Sequence, residues 1–391
     1  MKRTLLAPLL RCALWIRRLE VMTVKELKQL SRDVALMVFI IYAFTLEIYV
    51  AGSGVALELK NASLLVHDAD HSAASRDLIY RFQPPYFNLS NEAAHGNEGV
   101  RLLDRGEAML LLDIPPQFSE TLLRSERTAQ VQLLVDTSNS TIGYLASSYS
   151  TRIGQMFSEN WIQERLILAG LDPRSLPSIG NERRIWYNPD LKSSWFNAIS
   201  ELLGMMTVVA VLLPGAALVR EKERGTIEQL LVSPLSPFQV MFSKVLAMTL
   251  VILLGVTLSL FAIMQPFFAV PARGSLILFF CLTALYAFTT SGLGLVAATF
   301  ARNQAQVGML TILMVAPMIM LSGAWTPPEA MPVWLRYLVH LSPLHHYIDV
   351  AYGILLHGVG LSILWPAALS MLVLGGMLFG LGLWRFRRQF G

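Results

Sequence analysis

Long apolar runs at Val34–Gly52, Ala198–Val219, Val245–Gln265, Ser275–Phe300, Val307–Trp325 and Leu361–Trp384 constrain this chain more than any other feature. Each has roughly the 20 residues that a helix needs to cross a hydrocarbon core of about 30 Å. The overall balance agrees. Only 15% of residues are charged and 54% are hydrophobic, whereas a soluble domain has about 25% and about 45–50%. The expectation is an α-helical polytopic membrane protein with six transmembrane helices.

Lys and Arg give the orientation. Lys2, Arg3, Arg11, Arg17, Arg18, Lys25, Lys28 and Arg32 precede the first run. Arg220, Lys222, Arg224 and Lys244 lie between the second and third. Arg302 follows the fourth, and Arg385, Arg387 and Arg388 follow the last. With an even number of spans, all fall on one side. The opposite short loops hold only Arg273 and Arg336. The positive-inside rule then puts both termini in the cytoplasm.

The segment from Ser53 to Asn197 is different. It carries 17 Asp plus Glu and 13 Lys plus Arg, out of 27 and 31 in the chain, so the basic surplus lies elsewhere. It is long enough for a compact domain, and the topology makes it extracytoplasmic. Short apolar runs predict strands at Ser63–His67, Ala108–Leu112 and Gln130–Val135, with Pro115-Pro116 ending one. Thr141 to Ala169 has apolar residues at helical spacing and predicts one or two helices. The expectation is an inserted α+β domain. It has no disulfide, because Cys12 and Cys281 lie outside it.

Before the first span, Trp15 to Asp33 reads as an amphipathic helix. Trp15, Leu19, Met22, Leu27 and Leu30 would meet lipid, with Arg18, Lys25, Lys28 and Arg32 reaching headgroups. Arg11, Arg17 and Arg18 interrupt the apolar stretch, which argues against a cleaved signal. The plan is therefore a basic helix at 1–33, a first span at 34–52, an outer domain at 53–197 and a second span at 198–219. A cytoplasmic loop at 220–244 follows, then four spans within 245–384 with an outer reentrant segment near 326–348, and a basic tail at 385–391.

Chemical motifs are scarce. No Gly-Lys pair occurs, so there is no phosphate-cradling P-loop. HExxH, CxxC and GxSxG are absent, so zinc and serine-hydrolase chemistry lack their signatures. The basic residues flank membrane spans and do not interleave with aromatics, which argues against nucleic acid. His345-His346 with Asp349 reads better as a capped interfacial helix than as a metal site. Glu47 lies deep in the first span and Glu201 near the outer start of the second. A carboxylate in a span faces a bundle interior or a watery cavity. Glu47 and Glu201 are thus candidate points on a substrate path, or hydrogen-bonded helix contacts. Pro214 and Pro317 predict kinks, and Gly376 with Gly380 forms a GxxxG pair.

The densest local signal is REKERGTIEQLLVSPLSP, Arg220 to Pro237. Arg220–Arg224 continues the second span out of the membrane, and Glu221 can pair with Arg224 at i,i+3. Gly225 permits a reversal. Thr226 and Gln229 match a capping box, Ile227, Leu230 and Leu231 make one apolar face, and Pro234 with Pro237 ends the helix.

This stretch, Arg220-Glu-Lys-Glu-Arg-Gly-Thr-Ile-Glu-Gln-Leu-Leu-Val-Ser-Pro234, resembles the signature loop of type-2 ABC transport permeases. Val135-Asp-Thr-Ser-Asn-Ser140, Trp186-Tyr-Asn-Pro189 and Ser342-Pro-Leu-His-His346 resemble the multidrug-exporter-like subgroup with a large outer domain. Relatives often have a proline near the start of span two, where this chain has Ala198-Ile-Ser-Glu201. The resemblance implies an elbow helix at the N-terminus and a coupling helix around Thr226–Val232, seated on a separate ATPase subunit that binds ATP and Mg. It implies no cofactor in this chain. It also implies a second permease copy or homologue, a periplasmic adaptor with an outer-membrane channel, and a bacterial inner-membrane location. It places Arg220, Glu221, Glu223, Gly225, Thr226, Ile227, Glu228, Leu231 and Pro234 in the coupling to the ATPase, with Glu223, Glu228 and the Ile227/Leu231 face gripping it and Gly225, Thr226 and Pro234 shaping the stretch. The apolar spans favour a hydrophobic or amphipathic cargo. Two rivals stand beside export: a membrane-embedded enzyme, and a sensory or force-transmitting protein that transports nothing.

Overall fold

The computed structural model describes residues 3–54, 59, 61–92, 96–124, 128–138, 140–172, 186–190, 192–226, 235–323 and 331–390. They form two units, Leu57–Arg183 and the remainder of the chain.

The smaller unit is built on a four-stranded sheet. Strands β1 (Ala62–Asp68), β2 (Phe87–Glu92), β3 (Leu110–Ile114) and β4 (Gln132–Val135) lie in the order β2-β1-β3-β4. β1 is parallel to both neighbours, and β3 with β4 is antiparallel. Leu64 pairs with Leu110 and Val66 with Leu112. These residues are buried with Phe87, Ile114, Ala146 and Phe157 in one core. Three strands fall where the short apolar runs predict them. β2 went unpredicted because Phe-Asn-Leu-Ser-Asn-Glu is too polar to signal a strand, and only its place beside β1 makes it one. A single helix, Ser140–Leu168, covers the predicted helical region.

The larger unit is all-helical. Its helices α1 (Arg3–Ser31), α2 (Val34–Phe44) and α3 (Leu46–Gly54) precede the insertion. After it come α4 (Ser193–Glu223), α5 (Pro237–Phe268), α6 (Leu276–Phe300), α7 (Gln304–Met320), α8 (Val333–Val339), α9 (Pro343–Tyr352) and α10 (Leu361–Phe390). Among the described residues, α2 with α3, α4, α5, α6 and α10 are long and apolar enough to cross a membrane. The sixth expected span is shorter than its sequence suggested. α7 has 17 residues, and its end is capped at Leu321, short of Trp325. At 1.5 Å per residue it reaches about 25 Å, less than a full hydrocarbon core.

α4 is the central helix, with most of its length buried. Its closest neighbour is α6. A methyl at Gly294 would stand 2.0 Å from the Val211 carbonyl oxygen, so only glycine permits that crossing. Gly375 likewise fits against Thr289 on α6. Gly376 and Gly380, the GxxxG pair, meet nothing within 4 Å. The close approach within the chain uses other glycines than the motif indicated.

The N-terminal helix also departs from expectation. Met22 and Leu30, predicted to meet lipid, are buried against the protein. Val21 and Val24 are exposed in their place. The rotation follows from Glu26, which is buried at 2% exposure by a lysine of another helix. Periodicity alone reads Glu26 as a solvated residue.

Candidate functional site

The charged cluster Arg220–Glu223 forms the last turn of α4, and Gly225 with φ 65° then turns the chain. That left-handed conformation favours glycine. An outward-facing charged loop would leave these side chains in water. Instead each reaches a different element.

Arg220 Nη2 lies 2.9 Å from Asp33 Oδ2. The other Asp33 oxygen accepts from the Leu36 amide at 3.2 Å, so Asp33 caps α2 while holding α4. Glu221 turns away from Arg224, its expected partner. It meets Lys25 of α1 at 2.6 Å and Lys244 of α5 at 2.8 Å. Glu26 completes the ring, 2.8 Å from Lys244 and 3.3 Å from Lys25. Lys244 is fully buried, and Glu26 and Glu221 nearly so. Two ammonium groups and two carboxylates thus balance within one cluster that is buried except at Lys25, which is 42% exposed. Burial pulls the Lys25 ammonium down, but its hydrogen bonds and charge attraction to Glu221 and Glu26 together outweigh that and hold it above the ordinary 10.5.

Lys222 donates to the Ala298 carbonyl at 2.6 Å, an orphan acceptor at the end of α6. A cation there also complements the helix dipole. Glu223 accepts the Gln304 amide at 3.0 Å, in the first turn of α7. Consecutive charges of one helix end therefore tie down α1, α2, α5, α6 and α7.

The far side of the loop is pinned as well. Ser236 and Gln239 form a reciprocal capping box, with Pro237 in the first turn of α5. Sequence reasoning placed the box at Thr226 and Gln229 and read Pro237 as a stop, although Ser-Pro-Phe-Gln carried the same signature. Thr226 Oγ1 donates to the Glu221 carbonyl at 3.3 Å, and Gln229, the other half of the box expected there, lies outside the described residues. Gln239 Nε2 reaches the Trp15 carbonyl at 3.2 Å, and Trp15 stacks on Phe238. Lys244 thus belongs inside a helix, not to a loop at 220–244. Hydropathy could not show this, because its charge is cancelled by residues far away in sequence. Ile227, Glu228, Leu231 and Pro234 lie outside the described residues.

Glu47 and Glu201 are brought together. The helix breaks at Thr45, whose hydroxyl bonds the Ile41 carbonyl at 2.5 Å, and Glu47 restarts it in the first turn of α3. Tyr42 donates its hydroxyl to Glu47. α3 packs on α4, and the Glu47 and Glu201 charges are close enough to interact. Among the described residues, no group of three or more His, Cys, Asp and Glu is placed to hold a metal ion. The rings of His345 and His346 group with His340, and His346 Nε2 lies 2.9 Å from the His340 carbonyl.

Sequence reasoning missed a hydroxyl spine inside the bundle. Thr207 of α4 bonds Tyr286 of α6 at 2.6 Å, and Thr283 bonds Tyr347 of α9 at 2.6 Å. The two tyrosine rings stack 4.3 Å apart at 9°. Nearer the other end of α4, Ser200 bonds Tyr352 at 2.6 Å.

Residues 34–385 match the family described as ABC-2 family transporter protein. The chain belongs to the ABC-2 transporter family. The inner membrane transport permease YhhJ of Escherichia coli K12 is 33% identical over 94% of this chain and 96% of its own length. The probable multidrug ABC transporter permease YbhR of the same organism is 30% identical over 93% and 97%. ABC transporter G family member 20 of Dictyostelium discoideum is 24% identical over 73% of this chain and 39% of its own length. This ABC-2 protein is thus a multi-pass membrane component of an ABC transporter, and its family implies an ABC ATPase partner.

Proposed function

We propose that the chain is the permease subunit of an ABC exporter in a bacterial inner membrane, with both termini in the cytoplasm. The observation that carries this reading is the charged knot. Arg220 to Glu223 join the end of α4 to four other helices and to the cap of a fifth position at Asp33. A force applied just beyond Gly225 therefore reaches most of the bundle at once. A separate ATPase, holding ATP and Mg, would press on Thr226–Val232, with Ile227, Glu228 and Leu231 as the contact and Pro234 as the stop. Two copies, or this chain and a homologue, would enclose the path. The names of the bacterial relatives support a transport role in an inner membrane and, for one of them, a drug cargo, and the apolar spans favour a hydrophobic or amphipathic one. The 57–183 unit would guide the cargo outward or dock a periplasmic adaptor leading to an outer-membrane channel. Glu47 and Glu201 would be polar points on the cargo's route.

The test uses the full chain with its ATPase in proteoliposomes. Glu228→Lys is expected to weaken ATPase co-purification several-fold. Glu221→Gln should leave co-purification intact while lowering cargo uptake per ATP hydrolysed. Normal ATPase binding and stimulation by Glu228→Lys would count against the contact. Full ATPase stimulation with no cargo movement for any amphipathic dye would favour the force-transmitting rival.

A further inference from the structure

The outward side of the knot opens onto a cleft of about 980 Å³ between α1, the start of α2 and the end of α4. Six cations line it: Arg17, Lys25, Lys28, Arg32, Arg220 and Arg224. Lys25 and Arg220 are already neutralised by Glu221 and Asp33. Among the described residues, the side chains of Arg17, Lys28, Arg32 and Arg224 have no carboxylate or hydrogen-bond partner, and Glu20 is the one unpaired acid in the lining. The knot thus uses the cations on one side of α1 and leaves others unmatched around a concave space.

The remaining wall is apolar. Val21, Val24 and Val34 line the same cleft and are 61%, 42% and 74% exposed. Val34 is the first residue of the first membrane-crossing segment. The cleft therefore spans the level at which polar surface gives way to hydrocarbon. Unpaired cations beside bare valines at that depth suit a molecule with an anionic phosphate and an attached acyl chain.

We propose that this cleft binds the headgroup of an anionic phospholipid from the leaflet at the basic end of the spans. Arg17, Lys28, Arg32 and Arg224 hold the phosphate, and the three valines meet the glycerol and first methylenes. A lipid seated there bridges α1 and α4 directly outside the Glu221 knot. It would brace the helix end that the proposed ATPase contact must move.

The proposal rests on placing the basic ends at a lipid leaflet, but not on ATP-driven export, so ATPase stimulation is measured separately on the same samples. The full chain is purified in mild detergent, and retained lipid is counted by native mass spectrometry after exposure to phosphatidylglycerol or phosphatidylcholine. Preferential retention of phosphatidylglycerol is expected. Lys28→Glu and Arg32→Glu should each lower it by at least about fivefold, given the attraction of roughly 1 kcal/mol per cation near an anionic surface and the added repulsion of the new carboxylate. Arg387→Glu, in the last turn of α10 and outside the cleft lining, should not. Unchanged thermal melting of the variants guards against misfolding. Equal retention of both lipids, or an equal loss with Arg387→Glu, would overturn the site. So would complete displacement by millimolar inorganic phosphate, which would make it a small-anion pocket. If adding the ATPase expelled lipid and Lys28→Glu abolished ATPase binding without altering lipid retention, the cleft would belong to the protein partner.

Discussion

Two polar regions of the helical unit solve the same problem differently. At the basic end, Glu26, Glu221 and Lys244 bury full charges, and half-exposed Lys25 closes the ring. In mid-bundle, Thr207, Tyr286, Thr283 and Tyr347 bury only neutral hydroxyls. The difference follows from the energy of desolvation. An ion taken from water into a low-dielectric interior costs several kcal/mol even after relaxation, and a hydroxyl far less. Charges are therefore met where helix ends supply several opposite charges and backbone groups within 3 Å. Hydroxyls suffice where each can also return a bond to its own helix, as Thr207 does to the Leu203 carbonyl at 2.6 Å.

The sharpest way to break this contrast is to remove one member of the charged ring. Lys244→Ala leaves Glu26 and Glu221 facing each other through a single lysine that is partly exposed. A loss of about 3–5 kcal/mol is expected, seen as a large fall in melting temperature of the detergent-purified chain. The double variant Lys244→Met with Glu26→Leu should recover much of it, since a matched apolar replacement leaves no lone charge. A loss no larger than that from a surface lysine would show that water reaches the ring.

The hydroxyl spine should respond less. Tyr286→Phe keeps the ring stack, and Thr207 keeps its own carbonyl bond, so about 1 kcal/mol is expected in the same melt. A loss matching that of Lys244→Ala would overturn the distinction between the two regions.

The smallest effect concerns pH. Lys25 is 42% exposed, and water screens its pairing. Its folded-state value is raised above the ordinary 10.5, although burial acts the other way, because Glu221 and Glu26 favour the charged form. The stabilisation is thus complete below 10.5 and is lost as pH rises through the folded value. Melting temperature should stay level up to that point and then decline, with Lys25→Met showing a shallower decline. An equal decline in Lys25→Met would remove Lys25 from the account.

The sequence was most legible where hydropathy acts over a whole segment. Runs such as Ser275–Phe300 have no soluble alternative, and α6 fills that run almost residue for residue. It misled where charges are cancelled at a distance. Lys244 looked like the edge of a loop because its partners stand 218 and 23 positions away in the chain. The same blindness turned α1 the wrong way, since Glu26 is polar in composition but interior in place. The hydroxyl spine gave no signal, as single Thr and Tyr residues in apolar helices are unremarkable until two helices align them.

For the stretch Arg220–Pro237, the order of residues by itself determined that a helix ends in a charge cluster and that Gly225 turns the chain, while the capped restart at Pro237 reads in sequence as a stop. These are local matters of dihedral freedom and capping, settled within a few residues. Only the tertiary structure decided which way the charges point. Glu221 and Lys222 turn inward, and Glu223 caps α7 from the surface, because helix packing places two lysines, a carbonyl and an amide within reach. Arg224, with none of these nearby, stays exposed at the cleft. Coulombic attraction in a dry interior depends on distance in space, and neighbouring letters do not record that.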